Sequence, residues 1–192
     1  NDGIMNEGST SLRLGLPGNP SISESTMVFR DLSIAEYVSG KIHVPHISTS
    51  ESVDVIKSFK DRGIDITCEI TPHHLCLNEE VLFNYNTNSK VAPPIRSEVN
   101  QKKLINAIKS GVIDCIATDH APHSIDDKET DICSAACGMI GMETAFSLVY
   151  STLKKEKIST NTIINLFSFN PSKIIGITPN TITEKNEAEI NI

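Results

Sequence analysis

Between residues 21 and 153 the chain alternates stretches of helical periodicity with short apolar runs. Met27, Val28, Leu32, Ala35 and Val38 recur at helical spacing behind Ser21-x-x-Glu24, which has the form of a capping box, and Gly40 supplies a stop. The run IHVPH (42–46) then reads as a strand. Ser48-x-x-Glu51 opens a second helix, with Val53, Ile56 and Phe59 on one face and Gly63 at its end, before a strand over IDITCEI (64–70). Ser97 can cap a third helix carrying Leu104, Ile105 and Ile108, which stops at Gly111 and leads into IDCIATD (113–119). A fourth helix is expected from near Gly141 to about Leu153. Such regular alternation is what βα units with a parallel sheet produce. Further on, Ser159 predicts a helix through Phe167, and Asn170-Pro171 predicts a cap with proline at the first helical position. The tail TPNTITEKNEAEINI is polar and β-prone.

Composition narrows the function. The net charge is −7 and the acidic residues are dispersed, so the basic patch of a nucleic-acid surface is missing. The cluster Lys154, Lys155 and Lys157 suits a solvated helix end. No apolar run approaches the roughly 18 residues of a membrane span. The cysteines Cys68, Cys76, Cys115, Cys133 and Cys137 are odd in number and contain no C-x-x-C pair, which predicts free thiols in a reducing, cytoplasmic setting. GLPGNP (15–20) does not match a phosphate loop, no G-x-S-x-G elbow is present, and Gly138, Gly141 and Glu143 follow no strand that would make them a dinucleotide fingerprint.

The chemistry gathers at the expected strand ends, where parallel α/β folds build their sites. On the third strand Ile113, Cys115, Ala117 and Asp119 share a face by the period of two, and Asp119 is the terminal residue. A carboxylate there needs a metal, a charge or water, or it caps the next turn. The same period places Ile42, Val44 and His46 on one face of the first strand and His43 on the other. His46 with Asp119 makes a candidate metal pair, since neutral imidazole and carboxylate both suit Zn²⁺. Beyond the second strand His73 and His74 are adjacent, so an extended chain would let at most one face a shared centre. Pro122 fixes the turn that aims His123, which could hold an anionic substrate group, while His120 should point away from Asp119. Lys128 and residues 126–131 lie on a loop that could close over substrate, with a solvated loop the favoured reading.

Taken together, MNEG with LGLPGNP, SESTMVFRDLSIAE, IHVPHISTSESV, CEITPHHL, KVAPPIRS, IDCIATDHAPH and GMIGMETAF resemble the bacterial-type (class I) dihydroorotases of the cyclic amidohydrolase superfamily, over residues 3 to 177. The resemblance implies part of a (β/α)8 TIM-type barrel, about its last three strands with their helices over residues 1–177, and the beginning of a small β-domain over 178–192. It implies reversible hydrolysis of dihydroorotate to N-carbamoyl-aspartate in pyrimidine synthesis, with zinc lowering the pKa of the attacking water. By the same resemblance His46 would ligate one zinc of a binuclear pair. Asp119 would ligate the other and shuttle the proton to the leaving nitrogen. His123 would hold the substrate carboxylate, and the backbone at Cys137 and Gly138 would contact the ring. His73 and His74 match the family motif without being expected metal ligands.

The pattern also departs from the family. Ala92 stands where asparagine often binds substrate, and Cys137 where phenylalanine is usual. The family's His-x-His pair, its carboxylate-binding arginine, its bridging acidic or carboxylated lysine residue and one further histidine have no match in this chain and would precede residue 1. A full barrel takes about 250 residues, so the isolated chain is expected to be inactive and to expose sheet edges. Two other readings stay open: a non-catalytic dihydroorotase-like scaffold, which could sit beside a carbamoyltransferase or pair as a homodimer, and a hydantoinase- or allantoinase-type enzyme.

Overall fold

The computed structural model describes residues 3–179 together with 183, 184 and 186. The expected β-domain segment, 178–192, therefore lies almost wholly outside the described residues.

The expected alternation is present. Strands β3 (Ile42–Val44), β4 (Ile66–Ile70) and β5 (Cys115–Ile116) form a parallel sheet in the order β3-β4-β5. Its register pairs Ile42 with Ile66, His43 with Thr67, Val44 with Cys68, Glu69 with Cys115 and Ile70 with Ile116. Helix α3 (Ser50–Asp61) connects β3 to β4, and α5 (Glu98–Lys109) lies between β4 and β5. Both end just before glycines in the left-handed conformation, Gly63 (φ 85°) and Gly111 (φ 73°), where a Cβ would be strained. The helix α2 (Ser21–Tyr37) precedes the sheet, and α7 (Ala145–Lys155), α8 (Thr160–Phe167) and α9 (Phe169–Ile174) follow it. No closed barrel is present among the described residues. An open parallel sheet with flanking helices is the α/β arrangement expected of a partial barrel.

One face of the sheet carries the core. Val44, Ile66, Cys68, Ile70 and Ile116 pack with Leu32 of α2, Val53, Ile56 and Phe59 of α3, Leu104, Ile105 and Ile108 of α5, Val149 and Leu153 of α7, and Ile163 and Leu166 of α8. Most helical positions named by periodicity are buried, but Met27 (48% exposed) and Val38 (61% exposed) of the first set are not: Val38 lies past the last turn of α2 and Met27 faces away from the core.

The caps differ in instructive ways. Ser97 and Ser159 cap α5 and α8 as expected. Ser21 and Glu24 form no box: α2 begins behind Pro20 without a side-chain cap. Glu24 instead reaches the start of α3, where its Oε1 accepts from the backbone N of Ser48 (3.0 Å) and Thr49 (3.1 Å) and from Ser52 Oγ (2.7 Å). Thr49, rather than Ser48, caps α3 by accepting from Ser52 N. Asn170 does not cap α9; its Nδ2 donates to Asp114 O at 2.7 Å and ties that helix to the sheet. Helix α7 starts at Ala145, later than Gly141, and the Gly141 and Met142 N–H groups before it donate to His120 Nδ1.

The first residues add elements that the helical and strand periods did not reveal. Strands β1 (Met5–Asn6) and β2 (Gly18–Asn19) pair in parallel around α1 (Ser9–Leu14). This unit is bolted on by Arg96, which is buried (side chain 2% exposed). Its NH1 donates to Asn19 O (2.6 Å), its NH2 to Asn19 Oδ1 (3.1 Å) and its Nε to Ser48 Oγ (3.0 Å), while Glu24 Oε2 lies 3.8 Å away.

Candidate active site

The C-terminal ends of all three strands carry a histidine or an aspartate. His46 follows β3 with φ 34°, and Asp119 follows β5 with φ 48°. Both backbones sit in the left-handed region that bulky residues avoid, a type of strain that gathers at functional positions. Beyond β4 the chain turns straight into α4 (Pro72–Cys76), capped by Thr71 with proline at its first position.

That short helix separates the two adjacent histidines. His74 is fully engaged: its Nε2 faces Pro93 O at 2.9 Å and its Nδ1 faces Thr71 Oγ1 at 2.7 Å. A carbonyl only accepts, so Nε2 carries the proton and Nδ1 accepts from the threonine hydroxyl. His73 is 5% exposed, and its Nε2 is a buried polar atom with no hydrogen-bond partner. Its pKa is lowered to about 3, chiefly by burial, with the neighbouring His74 adding to the fall. The Asp119 carboxylate pulls it back up, and His46 again lowers it. His46 and Asp119 therefore each lie within electrostatic reach of His73, a neutral imidazole with an unused nitrogen. A native structure rarely leaves such an atom bare. Neutral imidazoles with a carboxylate are the donor set that zinc takes, so these residues fit the metal that the family resemblance implies.

His73 is thus a candidate ligand that the reading of the sequence set aside. The two-sided argument assumed an extended chain, whereas the histidines stand on a helical turn where Thr71 and Pro93 occupy one and leave the other. The Thr-Pro pair ahead of them, a cap followed by a first-position proline, was the signal available.

The expected substrate residues form a second group. His123 Nε2 donates to Cys137 O at 2.8 Å, and a Cβ on Gly138 would stand 2.7 Å from both His123 Nε2 and Ala121 Cβ. With φ 139° as well, Gly138 is a position that only glycine fills comfortably. His123 and Gly138 line a cleft of about 380 Å³ with Ser89, Ala121, Lys128 and Met139. Ala92 and Cys137 line a second, of about 430 Å³, with Lys90 and Pro94. His46 lines a third, of about 320 Å³, beside Pro93 and Arg96. His120 is a structural residue: its Nδ1 accepts from Gly141 N (3.1 Å) and Met142 N (3.2 Å), and it bridges to Met139.

Two expectations need correction. His43 and Cys115 lie on the same face of the sheet, opposite the core, and both approach Glu69. The period of two breaks after Val44, where β3 ends, so it does not predict where His46 points. Lys128 is not solvated: it is buried, and its ammonium donates to Thr87 O (3.2 Å), Ala136 O (2.7 Å) and Gly138 O (2.6 Å). Lys90 likewise donates to Cys133 O (2.8 Å) and Ala135 O (2.6 Å), so the segment 121–142 is moored rather than loose.

Comparison with known proteins bears on the family and the fold. The chain is 41% identical over 191 residues to a dihydroorotase of Desulforapulum autotrophicum and 43% identical over 192 residues to one of Ruminiclostridium cellulolyticum. Both matches take in the whole chain and 45% of the relative, so the chain spans less than half the length of these curated relatives. Among solved structures, the dihydropyrimidinase of Brevibacillus agri superposes with a TM-score of 0.82 at 22% identity, covering 88% of this chain and 39% of that one. The L-hydantoinase of Arthrobacter aurescens gives 0.79 at 26% identity, covering 83% and 36%. The amidohydrolase family model matches residues 27–192. With the parallel sheet and the strand-end histidines and aspartate already in view, the chain belongs to the amidohydrolase family.

Proposed function

We propose that this chain is the C-terminal part of a dihydroorotase, a zinc hydrolase that opens dihydroorotate to N-carbamoyl-aspartate in the cytoplasm, as a step of pyrimidine synthesis. Residues 1–177 contribute to its barrel and 178–192 begin its small β-domain. The observation that carries this reading is the bare, buried Nε2 of His73 beside His46 and Asp119. His46, His73 and Asp119 would hold zinc, which supplies an acidified water as nucleophile when bound. Asp119, exposed at the strand end, would take a proton from the attacking water and pass it to the ring nitrogen as the amide bond breaks. His123 is held in place through Cys137 O and takes the substrate carboxylate, while the backbone at Cys137 and Gly138 borders the ring.

The test joins this chain to the upstream portion of a curated dihydroorotase relative. With zinc present, the chimera is expected to turn over dihydroorotate and to lose that activity in Asp119→Asn and in His73→Ala. The 192-residue chain alone is expected to be silent, and its robust turnover would overturn the fragment reading. A chimera that folds and binds zinc without hydrolysing dihydroorotate would overturn the enzyme assignment. Ala92, standing where an asparagine often binds substrate in the family, favours one second reading: a non-catalytic dihydroorotase-like scaffold. A folded, zinc-loaded chimera without turnover of dihydroorotate or of a hydantoin would establish it.

A further inference from the structure

On the face of the sheet opposite the core, one residue from each strand converges. His43 of β3 stands with Nε2 at 3.1 Å from Glu69 Oε2 of β4, and its Nδ1 is 2.8 Å from Thr67 Oγ1. Cys115 of β5 is paired in register with Glu69 and is 4% exposed. The imidazole nitrogen, the carboxylate oxygen and the thiol sulfur all lie within 4.8 Å of one another. Ligands on one tetrahedral zinc stand about 3.5 Å apart, so side-chain rotations of about 1 Å close the gap.

We propose that His43, Glu69 and Cys115 form a second transition-metal site, suited to Zn²⁺ and apart from the strand-end residues. Its residues sit within the strands, whereas His46 and Asp119 lie past the ends of β3 and β5. The donor types are those that zinc prefers. As it stands, His43 Nε2–H donates to Glu69 and Nδ1 accepts from the Thr67 hydroxyl; on metal binding the ring would take the other tautomer, with Nδ1–H donating to Thr67 Oγ1 and the Nε2 lone pair on the metal, the usual role of a partner on the other ring nitrogen. One thiolate and one carboxylate neutralise the dication, which removes most of the cost of placing charge in a half-buried position. On binding, the thiol proton leaves to solvent as the sulfur–metal bond forms. Burial, the Glu69 carboxylate and Asp114 hold that thiol up at about 12, so it remains protonated at neutral pH until a cation displaces the proton.

The experiment uses the 192-residue chain with Cys133→Ser and Cys137→Ser, which removes the exposed thiols. After chelator treatment it is titrated with Co²⁺. The expected signature is a near-ultraviolet thiolate-to-cobalt charge-transfer band. It is expected to vanish in Cys115→Ser, to need at least about tenfold more cobalt in Glu69→Gln and in His43→Ala, and to persist in His73→Ala and Asp119→Asn. A missing band, or one that survives Cys115→Ser, would overturn the proposal. X-ray absorption on the zinc-loaded parent chain gives an answer that needs no Cys115 variant. A sulfur scatterer at about 2.3 Å is expected, and a shell of nitrogen and oxygen only would refute the site.

Discussion

Acid should unfold this protein through two buried histidines. His73 and His74 are 5% and 3% exposed, and their pKa values are lowered from 6.5 to about 3 and about 4. Burial is the leading cause for both. For His74, the hydrogen bond to Pro93 O opposes it, while Arg96 and His46 reinforce it. Both imidazoles are neutral in the fold, and the unfolded chain binds their protons first as pH falls below 6.5. The unfolded state holds more protons from there down to the folded values, so stability is lost with falling pH over that window. Between pH 7 and pH 5 each histidine contributes about 2 kcal/mol of loss, about 4 kcal/mol for the two. That is a large share of the 5–15 kcal/mol typical of a domain. At about 2 kcal/mol per M it moves a urea midpoint by about 2 M. Urea titrations at pH 7, 6 and 5 in the presence of chelator measure it. His74→Asn, which keeps an acceptor for Thr71, is expected to halve the loss. A midpoint that stays level from pH 7 to 5, or a slope unchanged in His74→Asn, would refute the reasoning.

The thiols should sort by burial: Cys133 and Cys137 are exposed and react readily with iodoacetamide at pH 8, whereas Cys68 and Cys115, both pushed up to about 12 chiefly by burial, stay unmodified until the fold opens, as peptide mapping would record. Glu24→Ala removes the acceptor of the α3 start and leaves Arg96 buried beside Asn19; a loss of about 3–5 kcal/mol is expected in urea unfolding. Gly138→Ala drives a Cβ into His123 and Ala121 at positive φ, so about 1–3 kcal/mol of stability is expected to go. In the active chimera that substitution should also raise KM for dihydroorotate through the displaced His123.

The alternation of elements could be read because each helix buries a stripe of 3.6 period and each strand an apolar run. Leu104, Ile105 and Ile108 are therefore found inside as expected. Asp119, His46 and His123 could be read as candidates because ionisable residues at strand ends are costly without a purpose. Caps were less legible. Glu24 looks local in sequence, but its partners Ser48, Thr49 and Ser52 lie on another helix, and tertiary contacts override a four-residue pattern. The unit of β1, α1 and β2 was missed because two-residue strands have no period, and the residues that hold it, Glu79, Tyr85 and Arg96, lie far along the chain. His73 was passed over because choosing between adjacent histidines depends on where Thr71 and Pro93 stand, and sequence spacing does not supply that.

The left-handed backbones of His46 and Asp119 bear on how this protein can change. Single residues in such conformations cost of order 1–3 kcal/mol, and glycine would release that strain at either position. A selection for heat resistance alone should thus favour His46→Gly and Asp119→Gly, the two changes that would empty the strand-end site. A histidine and an aspartate there set ligand geometry against thermal margin. A library sorted once for stability and once for hydrolysis by the chimera would drive these two positions in opposite directions.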